Sequence, residues 1–470
     1  MTTSADLIVL GAGPAGLMAA WRAARAGRSV IVLERADVVG GMAASFPVAG
    51  VRVDHGSHRL HPSTAPEIMA DLCGLLGDDL QTRPRHGRLR VDDRWVGFPL
   101  RPKDLARALP ASTIARIGAE AITAPLRRRK TVASYADALR RGLGPTLYDR
   151  LYGPYAVKLW GIPGERIDPE QARVRVRADT PTKIAARMVR GSTGGSGRTF
   201  HYPRRGFGQI VESVAEAAVS AGAQLQTGAE VTAIRPESDH VQVSTADGDV
   251  LSAGHLFTTA PLPRLAALVV PNAPARAVAD AAGLTFRAMV LVYLVHSARS
   301  RWTEFDATYL PDADTPISRI SEPANYRVSK EDPSDRTVLC CEIPCAADSA
   351  DPVWSATSQQ LADLARDTLA RLGLPPLRLD GPDAVQVRRI RHVYPVYEHG
   401  YAERLRGLDE WASALPSVTT FGRLGLFAHD NTHHAFAMAY AAVDALGAGG
   451  WDAGLWSAAR DRFRDHVVED

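Results

Sequence analysis

The opening of the chain constrains its fold more than any other part. Leu7-Ile8-Val9-Leu10 is a short apolar run suited to a buried parallel strand, and Gly11-Ala12-Gly13-Pro14-Ala15-Gly16 follows it at once. Leu17 to Arg25, rich in Ala, Leu and Arg, then predicts a helix, with Gly27 as its C-cap. Ser29 to Leu33 reads as a second buried strand, and Glu34 closes it 18 residues after Gly16. Gly11 permits a tight turn, Gly13 lets main chain approach a pyrophosphate, and Gly16 lets helix pack on strand. An acidic residue at the end of the second strand suits a ribose diol, so the first 34 residues predict a Rossmann-type dinucleotide site.

Arg35-Ala36-Asp37-Val38-Val39 continues the segment into a second glycine pair, Gly40-Gly41. This combination resembles the superfamily of FAD enzymes that includes amine oxidases, protoporphyrinogen oxidases, phytoene desaturases and UDP-galactopyranose mutases. The resemblance implies FAD as cofactor, with Gly11, Gly13, Gly16, Glu34, Arg35, Gly40 and Gly41 around it and Val231 beside it on a later strand. No second strand, GxGxxG and helix unit follows, so a dedicated NADPH domain is not expected. An external reductant such as NAD(P)H is compatible with that reading.

Composition removes several alternatives. Lys plus Arg number 55 against 52 Asp plus Glu, a net charge of +3, which is too little for a dedicated nucleic-acid binder. Four cysteines in 470 residues cannot build a disulfide framework, and Cys340, Cys341 and Cys345 lack a second cluster to complete a zinc site. The apolar runs after the first motif, such as Ala288 to Val295, are far short of a membrane span, and the first thirty residues do not resemble a secretory signal. A cytoplasmic address is expected, with a small-molecule substrate and no membrane span.

Along the chain two kinds of unit interleave. Residues 1–75, 200–265 and 415–450 are read as a discontinuous FAD-binding domain, 76–199 as a helical insertion, 266–414 as an antiparallel-sheet substrate domain and 451–470 as a C-terminal tail. Ala65 to Leu76 and much of Pro102 to Leu151 carry apolar residues at three- and four-residue spacing. Gln209 to Ala221 reads as helix, Glu230 to Ile234 and Val241 to Thr245 as strands, and Asp247-Gly248 as a hairpin turn before Leu251 to Thr258. The fold class is therefore α/β, a Rossmann-type domain interleaved with a sheet-plus-helix substrate domain.

Further segments narrow the resemblance. Gly56-Ser57-His58-Arg59-Leu60-His61, Tyr155 with Lys158-Leu159-Trp160-Gly161, Pro316 to Ile320 with Arg319, Tyr394-Pro395-Val396-Tyr397 and Gly422-Arg423-Leu424 stand in the order found in the UDP-galactopyranose mutase branch. That resemblance places His58 and His61 beside the flavin near the reacting carbon. It places two arginines on the diphosphate of a nucleotide sugar, a task suited to the planar guanidinium fork. Arg319 is the second; the first falls among Arg173, Arg175 and Arg177, with Arg175 matching best by its spacing from Trp160. Tyr155, Trp160, Tyr394, Tyr397 and His433 are carried over as substrate contacts, and Gly422, Arg423 and Asn431 as cofactor contacts. The function implied is flavin-mediated rearrangement or oxidation of a nucleotide-diphosphate sugar, the alternative being net oxidation of a hydrophobic or amine substrate.

The chain also departs from that branch. Where the mutases place a tyrosine pair after the Gly-Arg step, this sequence has His429-Asp430-Asn431-Thr432-His433-His434. His55, His58 and His61 recur every third residue and three more histidines cluster at 429–434, so three could meet at an iron or zinc, yet a loop beside a flavin accounts for His58 and His61, a satisfied polar contact for His55 and His429, and no metal is called for. The Gly/Ser run Ser192 to Gly197 suggests a mobile segment, either a lid over the substrate or a plain loop, and Arg127 to Lys130 a solvated helix end.

Overall fold

The computed structural model describes residues 3–99, 102–124, 131–175, 199–381 and 383–468. The lid and basic-run expectations, and Arg177, lie outside them.

The first motif builds the centre of a seven-stranded sheet. Thr3–Leu10 pairs in parallel with Val30–Leu33 on one side and Val250–Thr258 on the other. Gln224–Gln226 extends the sheet beyond Val30–Leu33, Val231–Pro236 and Val241–Thr245 extend the opposite side antiparallel, and Val418–Thr420 joins the C-terminal half of Val250–Thr258. Alternation with period two divides the strands between two cores. Leu7, Val9, Val30 and Val32 pack under the helices Pro14–Arg25, Gly208–Ser220 and Thr432–Ala445. Ile8, Leu10, Ile31 and Leu33 face the helices Leu262–Leu268, Ala275–Ala282 and Tyr401–Ser413.

Register sets the site. Leu10 is level with Leu33 and Thr258, and Thr258 is level with Thr420. Four parallel strands thus end together, and Gly11, Glu34 and Thr259 directly after them, with Gly422 just past the buried Phe421, open onto the crevice where such sheets bind ligands.

The second sheet runs Val385–Pro395, Phe286–Ser297, Arg336–Cys345, Arg319–Ser321, Ala307–Tyr309, Gly87–Val91, Arg94–Phe98. Val290, Val292 and Leu294 pack against the helix Ser358–Arg371, whose N-terminus carries a Thr357–Gln360 capping box. Met289, Leu291 and Tyr293 face the other way, against the hairpin formed by Ser45–Val48 and Val51–Asp54. Two expectations change here. The stretch read as a helical insertion contains strands Leu80–Pro84, Gly87–Val91 and Arg94–Phe98, of which the last two complete this sheet, because Gly87–Val91 finds a parallel partner in Ala307–Tyr309. The C-terminal tail contains the helix Ala453–Phe463, which buries Trp456 and Ala459 in the first core.

Helices do fill much of 102–160, and Tyr135, Tyr148 and Trp160 make their own small core. Lys158 ties that unit to the second sheet: its ammonium donates to the carbonyls of Leu310, Asp312 (2.5 Å) and Ile317 (3.1 Å), and burial lowers its pKa to about 8. Among the described residues no helix is long and apolar enough to cross a membrane.

His255 supplies a test of packing. It is buried, 2.9 Å from the Thr419 hydroxyl and stacked on Trp451 at 4.8 Å, and burial, reinforced by the charge of Arg28, lowers its pKa from 6.5 to about 4. The unfolded chain therefore binds more protons between those pH values, so stability falls as pH drops through that window. The unfolding midpoint is expected to fall between pH 7 and pH 5, with a shallower slope in His255→Gln, measured by thermal melts across that range.

Candidate functional site

The glycine loop is fixed by close packing. A Cβ on Gly16 would drive into the Gly11 carbonyl oxygen, and one on Gly11, whose φ is +105°, into the Thr259 hydroxyl. Gly13 instead meets nothing within 4 Å, so its main chain faces open space at the N-terminus of the helix Pro14–Arg25. That N-terminus has no side-chain cap, no acidic residue in its first turn and Pro14 at its start, which leaves its free N–H groups and positive dipole end for an anion. Glu34 accepts from Ala12 N at 2.8 Å and Ala36 N at 2.9 Å, and each oxygen keeps a lone pair for a further donor. Gly40 N donates to Ala12 O at 2.7 Å, which brings Gly41 beside Gly13.

From this loop a single cavity of about 1880 Å³ reaches the second sheet. Pockets for drug-sized ligands span roughly 300–1,000 Å³, so the space accommodates an extended dinucleotide and a second molecule. Gly11, Gly13, Glu34, Arg35, Gly41, Val231, Gly422, Arg423 and Asn431 line it, as do His58, His61, Tyr155, Trp160, Arg175, Arg319 and Tyr394. Gly16 and Gly40 act behind the surface, by packing and by turning the chain.

Two residues predicted to touch substrate do not line the cavity. Tyr397 is buried, stacked on Tyr401 at 4.1 Å, with its hydroxyl donating to Phe427 O at 3.1 Å. His433 packs behind His61, ring centroids 5.7 Å apart, and burial lowers its pKa to about 3. Of the three candidate arginines, Arg173 is spent on Glu170 and the Arg464 carbonyl, whereas Arg175 reaches the cavity.

His58 stacks on Phe207 at 5.3 Å, and burial lowers its pKa to about 4, opposed in part by the nearby Glu342. It is a neutral imidazole at physiological pH. Its neighbours are set by Glu342, which the sequence reading missed. That carboxylate takes both prongs of Arg319, at 2.9 and 2.8 Å, and the N–H of Ser57 at 2.8 Å. The signal available was one acid in the otherwise apolar strand Arg336–Cys345. Arg319 therefore enters the cavity as half of a buried ion pair.

Arg423 differs. It donates to the carbonyls of Asp430 (3.2 Å) and Val393 (2.7 Å), its Nε is buried without a partner, and no carboxylate lies within salt-bridge distance among the described residues. Burial lowers its pKa, and the positive charge of Arg175 acts in the same direction. Arg175 and Arg423 each stand 5.4 Å from the Tyr394 ring. Around the whole cavity, arginines outnumber carboxylates two to one among the described lining residues.

With this geometry in place, comparison with known proteins is decisive on family. The family model of flavin containing amine oxidoreductases matches residues 14–438. The chain belongs to that family. A crystal structure of a reduced UDP-galactopyranose mutase superposes with TM-score 0.80, covering 99% of this chain and 100% of that one at 21% identity, a likeness of fold. A phytoene dehydrogenase from Streptomyces griseus is 27% identical over 309 residues, 55% of this chain and 54% of that protein. A putrescine oxidase from Kocuria rosea is 44% identical over 82 residues, 17% of each. The chain thus spans well under two thirds of these curated relatives. It is an FAD-dependent enzyme of the oxidoreductase fold, and the open glycine loop, uncapped helix and Glu34 are suited to that dinucleotide.

Gly16→Ala is expected to yield protein with about a tenth or less of the wild-type flavin content, because overpacking at a site without slack costs roughly 1–3 kcal/mol or more. Glu34→Ala leaves the N–H groups of Ala12 and Ala36 without their acceptor and is expected to weaken FAD by about 1–3 kcal/mol. Flavin-to-protein absorbance ratios and titration of the apoprotein check both.

Proposed function

We propose that the enzyme acts on a nucleotide-diphosphate sugar, rearranging it between ring forms in the manner of a pyranose/furanose mutase. The observation that carries this reading is the pair Arg175 and Arg423 at Tyr394. The Arg423 guanidinium, buried with no carboxylate within salt-bridge distance among the described residues, is costly, and a diphosphate relieves that cost through charge-assisted bonds. Arg319, already neutralised by Glu342, then presents a polar edge to the sugar rather than a net charge to phosphate. Tyr155 and Trp160 supply flat faces for a sugar or base.

FAD supplies a two-electron carrier that in its reduced form is also a nucleophile. The protein's part is placement. Glu342 fixes the Ser57 main chain and so the loop bearing His58, whose neutral ring can exchange a hydrogen bond with a sugar hydroxyl but does not add charge. The arginine excess opposes a cationic amine in the same chamber. Net oxidation is the second reading, favoured by the missing tyrosine pair: His429, standing in that stretch, is turned inward to the Pro395 carbonyl at 2.8 Å.

The test is titration of the flavin spectrum, oxidised and dithionite-reduced, with UDP-, GDP-, dTDP- and CMP-sugars, followed by anaerobic product analysis. Ring isomerisation confined to the reduced enzyme supports the mutase reading, and bleaching of the oxidised flavin supports net oxidation. Arg423→Ala, at unchanged flavin content, is expected to weaken the sugar nucleotide by roughly 1.5–3 kcal/mol, the worth of a charged hydrogen bond. If no nucleotide sugar perturbs either flavin state, the diphosphate reading fails.

A further inference from the structure

At the cavity wall, with Asp430 itself on the lining, lies a cluster that the flavin and substrate readings leave unused. Asp430 sits just before the helix Thr432–Ala445, His434 lies in its first turn, and His466 comes from the chain beyond the helix Ala453–Phe463. His434 Nδ1 is 3.1 Å and His466 Nδ1 3.0 Å from the same oxygen, Asp430 Oδ1. One ligand atom from each residue lies within 4.8 Å of the others. The Asp430 side chain is 2% exposed, and among the described residues no lysine or arginine is within salt-bridge distance of it.

We propose that Asp430, His434 and His466 form a binding site for one divalent transition ion of the zinc type, which fastens the C-terminal segment to the flavin-facing end of the helix Thr432–Ala445. The ligand types suit the ion: two imidazoles and a carboxylate leave a fourth position for water. The spacing suits it too, since bonds of about 2.0–2.1 Å in tetrahedral geometry hold neighbouring ligand atoms roughly 3.3 Å apart. The local hydrogen bonding also asks for a cation. Asn431 N donates to His434 Nδ1 at 3.2 Å, so that nitrogen offers a lone pair while also facing the Asp430 oxygen. Two electron-rich atoms in contact in a buried place are relieved by a positive charge between them, which a proton or a metal ion can supply. Binding draws the lone pair onto the ion and exchanges the Asn431 bond; the rings of His434 and His466, stacked at 4.1 Å and 13°, must tilt to converge.

The position gives such an ion a structural consequence. Asn431, Thr432 and Ala435 line the cavity on one side of the cluster. On the other, Val468 N donates to Val174 O at 2.8 Å, and Val468 itself lines the cavity next to the segment that carries Arg175. A filled site therefore braces two parts of the chamber wall at once.

The experiment uses the FAD-loaded protein, stripped with chelator, dialysed against Zn²⁺ and washed, with metal content read by mass spectrometry and Co²⁺ substitution read by visible absorption. About one zinc per chain, a tetrahedral Co²⁺ band, and at least about tenfold weaker retention in both Asp430→Asn and His466→Gln support the site. The isosteric Asp430→Asn and the half-buried His466→Gln, each verified for flavin content, guard against simple unfolding. Metal content no higher than the buffer blank, or retention unchanged in either variant, overturns the proposal and leaves the three side chains as a hydrogen-bonded triad. The result does not depend on which substrate the enzyme takes.

Discussion

Everything in the site rests on the contact between Gly16 and the Gly11 carbonyl. Because no side chain intervenes there, the helix Pro14–Arg25 lies against its strand closely enough to aim its N-terminus at the crevice where four parallel strands end together. The later pieces of the chain return to that line. Thr259 closes over Gly11, and Gly422, with φ of +81°, turns the chain beside Ala15 so that Arg423 and the helix Thr432–Ala445 enter the same space. Distant parts of the chain thus converge on one edge because Val250–Thr258 and Val418–Thr420 add in parallel to the ladder that the first strand begins.

Electrostatics divides the chamber. Glu342 absorbs the charge of Arg319 and spends its remaining capacity on the Ser57 N–H, so that part of the wall is polar but close to neutral. Arg423 donates to carbonyls alone, beside the Tyr394 ring, with Arg175 as a like-charged neighbour. Buried charges are normally paired. The two arginines of one cavity thus differ in how their charge is met, one by a carboxylate and one by carbonyls.

The parts legible in the sequence were those fixed by local rules. Glycines with required backbone geometry, apolar strands and Glu34 declare themselves within 34 residues, and the order of later motifs located His58, Tyr155, Arg175, Arg319 and Arg423 on the cavity. What sequence did not disclose depends on distant partners. Gly87–Val91 becomes a strand because Ala307–Tyr309 waits for it, although its surroundings read as helical. Glu342 takes its meaning from Arg319 and Ser57, and Tyr397 leaves the site because Tyr401 and the Phe427 carbonyl hold it in the core. His466, in a polar stretch read as a tail, carries no local sign that it meets Asp430.

The strand Phe286–Ser297 serves two masters by the simple alternation of its side chains. Met289 and Leu291 border the chamber, while Val290, Val292 and Leu294 belong to the core under the helix Ser358–Arg371. Met289 and Leu291 are thus chamber wall and core at once, so a substitution there changes the packing on the hairpin as well as the shape of the chamber. Reshaping this part of the chamber therefore takes compensating changes in the hairpin Ser45–Val48 and Val51–Asp54, while the even-numbered half of the strand stays anchored under its helix.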